Sequence, residues 1–258
     1  MARIITIVNQ KGGVGKTTTA INLTAALSME GKKCLLVDLD PQGNTTAGVG
    51  IDKNSVEKSI YDVLLGSVKL SEIIQSPPWD GIKVAPANLA LAGAEVELIS
   101  ELSRETRLKN ALSEIRGDYD FIFIDCPPSL GLLTINGLTA TDGILIPVQC
   151  EYYALEGLSQ LLHTVELVKK HLNPSLVVEG VLLTMFDNRL NLASEVAEEV
   201  KNYFKEKVYK TIIPRNVKLS EAPGFGKPIF IYEKSSRGAQ AYIELAREVL
   251  GYAQISVG

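Results

Sequence analysis

The run Ile4-Ile5-Thr6-Ile7-Val8 passes directly into Lys11-Gly12-Gly13-Val14-Gly15-Lys16-Thr17-Thr18, and that segment into Ala20-Ile21-Asn22-Leu23-Thr24-Ala25-Ala26-Leu27. The β-branched run reads as a strand, the glycine-rich stretch as a tight turn, and the small residues after it as a helix able to pack closely on a sheet. A strand that turns straight into a helix commits the chain to a sheet with helical crossovers. The turn itself is chemically specific. Glycines let the backbone approach an anion with no Cβ in the way. The free N–H groups at the helix start, with the positive end of its dipole, converge on the same point. Lys16 adds a point charge for β- and γ-phosphates, and the Thr17 hydroxyl is placed to ligate Mg²⁺. The familiar pattern G-x-x-x-x-G-K-[ST] is not fully met, because Gln10 stands where its first glycine belongs; K-G-G-x-G-K-[ST] fits instead. Two lysines in so short a loop repel, and a polyphosphate would relieve that repulsion.

Strand-like runs recur at Ile4–Val8, Lys33–Val37, Ile82–Ala85, Phe121–Ile124, Gly143–Val148, Val177–Leu183 and Val208–Ile213. Several are continuously apolar, as in parallel strands covered on both faces. Helical patterns lie between them at about 18–30, 88–114, 131–140, 154–172 and 190–204, with a last amphipathic one at 239–250. The expected fold is α/β: a single domain over 1–258, doubly wound, with a mostly parallel sheet flanked by helices. In such sheets ligands bind outside the carboxyl ends of strands. Two predicted strands end there in carboxylates, one in Val37-Asp38-Leu39-Asp40-Pro41 and one in Ile124-Asp125-Cys126-Pro127-Pro128. An Asp after a strand is often only a turn residue. Three of them beside a phosphate loop point to function: Asp38 and Asp125 to the metal and its water shell, Asp40 to the attacking water.

Composition excludes several classes. The net charge is −4, which does not suit a chain coated in basic charge. Its distribution is uneven: residues 1–188 hold 15 Lys+Arg against 22 Asp+Glu, whereas residues 189–237 hold 10 against 6. That asymmetry permits a local anionic partner. No apolar run reaches the 18 or so residues of a membrane span. Met1-Ala2-Arg3 leads straight into the first strand, so the expected location is cytoplasmic. Cys34, Cys126 and Cys150 have no C-x-x-C spacing and read as buried core thiols.

Lys11-Gly12-Gly13-Val14-Gly15-Lys16-Thr17, Asp38-Leu39-Asp40-Pro41-Gln42-Gly43-Asn44 and Asp125-Cys126-Pro127-Pro128-Ser129 together resemble the deviant Walker A ATPases, the superfamily that includes ParA/Soj, MinD and the nitrogenase iron protein. The strings IDCPPSLGLL (124–133), PVQCEYYALEG (147–157) and IPRNVKLSEAP (213–223) are similar to the ParA/Soj chromosome-partitioning branch over nearly the whole chain. The resemblance implies a P-loop fold that binds ATP and Mg²⁺, with Gly12, Gly13, Val14, Gly15, Lys16, Thr17 and Thr18 around the phosphates. It implies a nucleotide-sandwich homodimer in which Lys11 reaches the partner's phosphates. Met185, Pro214 and Asn216 fall where the family holds adenine. The family's dimer binds double-stranded DNA without sequence preference, which makes Arg189 and Lys218, then Arg215, the leading contacts, with Lys201, Lys205 and Lys234 behind them. A ParB-type partner would stimulate slow hydrolysis, and the chain would associate with the nucleoid. The chain starts at its first strand, so no N-terminal operator-binding domain is expected.

Two other classes share the superfamily. A MinD-like membrane-surface protein needs a basic amphipathic C-terminal helix, whereas residues 239–250 carry the mixed polar face Glu244, Arg247 and Glu248 and read as a core-packing helix. An iron–sulfur carrier needs suitably placed cysteines, and none of the three here matches that family's ligand positions.

Overall fold

The computed structural model describes residues 1–151 and 156–251. In chain order the elements are β1 (Arg3–Ile7), α1 (Lys16–Met29), β2 (Cys34–Asp38), α2 (Asn44–Gly48), α3 (Ile60–Leu65), α4 (Leu70–Ile73), β3 (Ile82–Ala85), α5 (Leu91–Glu97), α6 (Arg107–Ile115), β4 (Phe121–Asp125), α7 (Leu132–Ala140), β5 (Gly143–Gln149), α8 (Glu156–His171), β6 (Val177–Thr184), α9 (Asn191–Phe204), α10 (Val217–Glu221), α11 (Ile229–Tyr232) and α12 (Arg237–Val249). The six strands form one sheet in the order β3-β2-β4-β1-β5-β6, and every pairing is parallel. From β1 the chain moves one way to β2, β3 and β4, then returns across β1 to β5 and β6. The carboxyl end of β1 is therefore the topological switch point, where an open parallel sheet leaves a crevice. The phosphate loop leaves the sheet at that point.

Burial explains the sequence patterns. β2 and β4 are buried at every position, as their unbroken apolar runs require. α1 is buried almost all round, from Thr19 to Leu27; Ala20, Ala25 and Ala26 let it lie close between the sheet and α12. One apolar layer, around Ile5, Ile7, Leu23, Phe123 and Tyr242, fills the α1/α12 side. The other, around Val8, Leu35, Ile124, Leu138 and Leu161, fills the opposite face. α12 turns Ala241, Tyr242, Leu245, Ala246 and Val249 inward, so the helix expected at 239–250 serves core packing.

Two expectations need correction, and a third lies partly outside the described residues. The helix expected over 88–114 is two helices, α5 and α6, separated by short 3₁₀ turns at Leu98–Ser100 and Arg104–Thr106. Ser103 between them is left-handed at φ 55°. The carbonyls of Ser103 and Arg104 accept from the Thr106 hydroxyl (2.9 Å) and the Asn136 amide (2.9 Å), which displaces the helical ladder. The strand expected at Val208–Ile213 makes only single bridges to β6 and its continuation, at Val208 and Pro214. Its centre is pulled away because the Glu248 carboxylate accepts the backbone N–H groups of Lys210 (2.7 Å) and Thr211 (3.0 Å). Of the helix expected at 154–172, residues 154 and 155 lie outside the described residues, and α8 covers Glu156–His171.

Candidate nucleotide site

The loop between β1 and α1 is built on two left-handed glycines, Gly13 (φ 75°) and Gly15 (φ 87°), a conformation a side chain would strain. Gly15 is the N-cap of α1 and offers no side-chain acceptor, and the first turn of the helix holds no acidic residue. The leading N–H groups of α1 are thus left for an external acceptor. A Cβ built on Gly12 or Gly13 would meet no atom within 4 Å. Tight packing does not account for glycine at these positions, whereas the approach of an anion does. Around the loop, Asn9 accepts the Lys11 N–H (3.0 Å) and donates to the Pro147 carbonyl (2.8 Å). The Thr184 hydroxyl donates to the Val14 carbonyl (2.9 Å).

The two lysines diverge. Lys16 is buried, and its ammonium donates to the Lys11 carbonyl (3.1 Å). Burial pulls its pKa below the ordinary lysine value, opposed by the nearby charges of Asp125, Cys126 and Asp40. Lys11 points the other way, with Nζ 3.7 Å from the Glu151 carboxylate.

The strand-end carboxylates lie side by side, because Asp38 and Asp125 are register partners across β2 and β4. The Thr17 hydroxyl and the Thr45 hydroxyl both donate to Asp125 Oδ2, each at 2.7 Å. Asp125 Oδ1 is buried and has no hydrogen-bond partner among the described residues. Burial pushes the Asp125 carboxyl up to about 6, against the pull of Thr45, Thr17 and Lys16. Asp38 is pushed up to about 7 by burial and by Asp125. Both of its oxygens are already engaged: Oδ1 accepts the Asp40 N–H (3.1 Å), and Oδ2 accepts the N–H (2.8 Å) and hydroxyl (2.7 Å) of Thr46. Asp40 is buried at the loop start and its Oδ1 accepts the Gln42 N–H (2.9 Å). The Asp125 carboxylate, with Oδ1 free and Oδ2 accepting the Thr17 hydroxyl, forms with that hydroxyl an oxygen donor set that suits Mg²⁺. Thr17 and Asp125 could hold it, while both oxygens of Asp38, the third residue expected at the metal, accept hydrogen bonds from Asp40 and Thr46.

Beside the loop, a cleft of about 370 Å³ is lined by Gly15, Thr18, Met185, Pro214, Asn216 and Tyr242, among others. The structure thus brings Met185, Pro214 and Asn216 together. Met185 is left-handed at φ 51°, and backbone bonds from Phe186 N–H to the Ile213 carbonyl (3.1 Å) and from Arg215 N–H to the Phe186 carbonyl (3.0 Å) lock the two segments. Asn216 also caps α10, its side chain accepting the Lys218 N–H (2.9 Å). A larger hollow of about 440 Å³, beside Trp79 and Tyr119, opens at the amino ends of the strands, away from the phosphate loop.

The basic residues behave differently. Arg189 is highly exposed but grips Asp187 through Nε (2.8 Å) and Nη2 (2.6 Å). Lys218 is tied to Glu221 (2.9 Å) and lies 5.7 Å from the Tyr232 ring centre. Lys201 pairs with Glu198 (2.8 Å), and Arg215 lines the cleft wall. All three cysteines are buried and free, and burial raises each thiol, Cys34 to about 12 and Cys150 to about 11. Among the described residues no helix is long and apolar enough to cross a membrane. Residues that sequence reasoning missed are Asn9, Thr45, Thr46, Glu151 and Thr184. Thr45-Thr46 at the start of a helix just after a double aspartate was a usable signal; Glu151 and Thr184 meet the loop only through the fold.

A phosphate cradle at a switch point, flanked by a hydroxyl–carboxylate pair, marks the chain as a P-loop nucleoside triphosphatase. Residues 2–178 match a family described as "AAA domain". The chain is 61% identical to the sporulation initiation inhibitor protein Soj of Bacillus subtilis (strain 168), over 96% of this chain and 98% of that protein. It is 55% identical to the chromosome partitioning protein ParA of Myxococcus xanthus (strain DK1622), over 97% and 88%. Among solved structures it is similar to cobyrinic acid a,c-diamide synthase from Mycobacterium smegmatis with bound ADP and magnesium, at 40% identity and a TM-score of 0.86, over 97% and 94%. The chain belongs to the ParA/Soj family of partitioning ATPases.

Proposed function

We propose that this chain works as a single P-loop ATPase domain whose ATP-bound homodimer holds double-stranded DNA without sequence preference, and that hydrolysis, stimulated by a ParB-type partner, releases it. The observation that carries the reading is the arrangement around Asp125: a buried, unpartnered oxygen beside the Thr17 hydroxyl, at the mouth of an uncapped helix and next to a buried lysine. Bound Mg²⁺ supplies charge neutralisation on the phosphates. Thr17 and Asp125 would hold it. Lys16 and the N–H groups from Gly12 to Thr18 bind the phosphates, and Asp40 orients the attacking water. Met185, Pro214 and Asn216 line the base side of the cleft. The M. smegmatis structure with ADP and magnesium supports the choice of nucleotide and metal.

Lys11 fits a role in the partner's site. It is not needed inside its own loop, where Lys16 occupies the interior, and its Glu151 contact is long and half exposed. Arg189, Lys218 and Arg215 supply the DNA-facing charge, and two such patches on one dimer bind with avidity. Nucleoid association follows from that binding.

The test is solution size with ADP, ATP, and ATP plus duplex DNA, on the wild type and on Asp40→Ala. A monomer with ADP, a dimer with ATP and a DNA-bound dimer are expected, the two dimer states persisting longer in Asp40→Ala. Size that ignores the nucleotide, or DNA binding that is equal without it, would overturn the proposal.

A further inference from the structure

The segment after β6 joins the nucleotide cleft to the basic surface in five residues. Met185 lines the cleft and is left-handed. Phe186 is pinned through its N–H and carbonyl to Ile213 and Arg215. Asp187 follows, and its Oδ1 accepts both the backbone N–H (3.1 Å) and the Nε–H (2.8 Å) of Arg189, while Oδ2 accepts Nη2–H (2.6 Å). The Leu190 N–H closes the turn on the Asp187 carbonyl (3.1 Å). The two side chains are unequal in exposure: Arg189 is 82% exposed and Asp187 13%.

That asymmetry has a consequence for an anion arriving from solvent. A guanidinium recognises a phosphate best through two parallel N–H bonds. In Arg189 the Nε/Nη2 edge, one of its two bidentate edges, is already filled by a carboxylate set back beneath it. Taken together the two side chains form a neutral pair. The Arg215 charge adds a small further pull that helps to hold that carboxylate ionised. A single recessed acid therefore engages one of the three arginine and lysine positions expected to meet DNA.

We propose that Asp187 is a positioning residue that restrains DNA binding: it holds Arg189 in one rotamer and competes with the DNA phosphate for its Nε/Nη2 edge. This rests on the DNA-binding reading above. The restraint keeps affinity low enough for release once the dimer opens. Because Asp187 is two residues from Met185, it sits where a change in the nucleotide cleft reaches the DNA-facing surface with no intervening element.

The experiment is a duplex-DNA titration at several salt concentrations, with ATP saturating for each variant, on the wild type, Asp187→Asn, Asp187→Glu, Arg189→Ala and the double variant Asp187→Asn/Arg189→Ala. Asparagine keeps an oxygen for the Arg189 backbone N–H, so the turn is retained, and a thermal melt of each variant checks it. An exposed pair of this kind is worth up to about a fivefold change in affinity per protomer, which multiplies to at most about twenty-fivefold in a dimer. Asp187→Asn should bind DNA tighter by about that factor. Its log affinity should also fall more steeply with log salt, by about 0.9 for each phosphate newly neutralised, an effect that a purely structural role would not produce. Asp187→Glu should stay near the wild type, and the gain should vanish in the double variant. A wild type that binds with Asp187→Asn no tighter and no steeper, or a gain that survives without Arg189, would overturn the inference alone. A wild type that ignores DNA would overturn the functional reading and this inference with it.

Discussion

Asp125 and Asp187 are the same residue type, each facing a cation, yet the protein drives them in opposite directions. At the carboxyl end of β4, Asp125 is fully buried, and desolvation raises it to about 6 although two hydroxyls and Lys16 favour its charge. Beneath the exposed Arg189, Asp187 is lowered to about 2 by the Arg189 side-chain and backbone bonds. Burial dominates in the first case and hydrogen bonding to a well-solvated partner in the second. The nucleotide side is thus a region of unresolved charge: a buried carboxylate oxygen with no donor, a buried lysine lowered by burial and a helix start with no cap. The basic side is a region of resolved charge, in which Arg189, Lys218 and Lys201 each have a carboxylate from their own element or turn. The first region awaits ions of defined geometry. The second can exchange one weak anion for another, which suits binding that must be reversible.

The contrast should be broken most severely at Asp40, proposed above to orient the attacking water. Asp40→Ala should lower ATP turnover by about 10²–10⁴, the range of a lost proton-accepting or water-orienting group, while nucleotide affinity changes little, because Asp40 is not part of the cradle. Single-turnover hydrolysis beside equilibrium nucleotide binding measures both. A variant that loses the two in parallel would place Asp40 in nucleotide binding instead.

Lys11→Ala comes next. Lys16 and the backbone N–H groups remain, so nucleotide binding should fall by less than about tenfold, or roughly 1.4 kcal/mol. ATP-driven dimerisation should be lost at concentrations where the wild type is fully dimeric. Light scattering with ATP decides the matter; normal dimerisation would remove the trans role and leave Lys11 as a surface partner of Glu151.

A pH series sharpens the comparison further. Asp38 and Asp125 stand at about 7 and about 6, against an ordinary value near 4. Between those limits the folded chain retains protons that the unfolded chain has released. Their contribution is therefore fully present at pH below about 4 and is lost as pH rises through about 6 and 7, with a slope of up to about 1.4 kcal/mol per pH unit for each proton. Urea unfolding of nucleotide-free protein should show stability falling from pH 5 to pH 8. The slope should be shallower in Asp125→Asn, and Mg²⁺ should recover part of the loss at pH 8. An identical slope in Asp125→Asn would mean that other groups carry it.

These regions also differ in how far the sequence disclosed them. The phosphate loop and the aspartates after β2 and β4 were legible because strand, glycine turn and strand-end acid are all local, and the alternation of periodicities placed them on one edge of a parallel sheet. Six strands were recoverable for the same reason. The seventh expected strand was not, because the fate of Lys210 and Thr211 is decided by Glu248, 38 and 37 residues away. Nor was the break at Ser103, where Asn136 from α7 takes a helix carbonyl. The short helices α2, α3, α4, α10 and α11 fell below the length at which periodicity is informative. Pairing on the basic surface was half legible: Asp187 stands two residues from Arg189, but only the fold recesses one and exposes the other.

The smallest expected effect tests whether the outer pairs are structural at all. Glu221 accepts from Lys218 Nζ (2.9 Å) and from the Tyr232 hydroxyl (2.8 Å), all near the surface. Glu221→Gln keeps an acceptor for the tyrosine and removes only the charge. Solvent screens exposed ion pairs strongly, so the melting temperature should move by no more than about 2 °C for a chain of this size. The apparent charge of the patch would rise nonetheless, and DNA affinity should increase slightly in low salt and converge on the wild type in high salt. A melting shift well beyond that, with unchanged DNA binding, would make the Lys218–Glu221–Tyr232 cluster part of the fold's support, and the division into a resolved and an unresolved charge region would then have to be redrawn with α10 on the structural side.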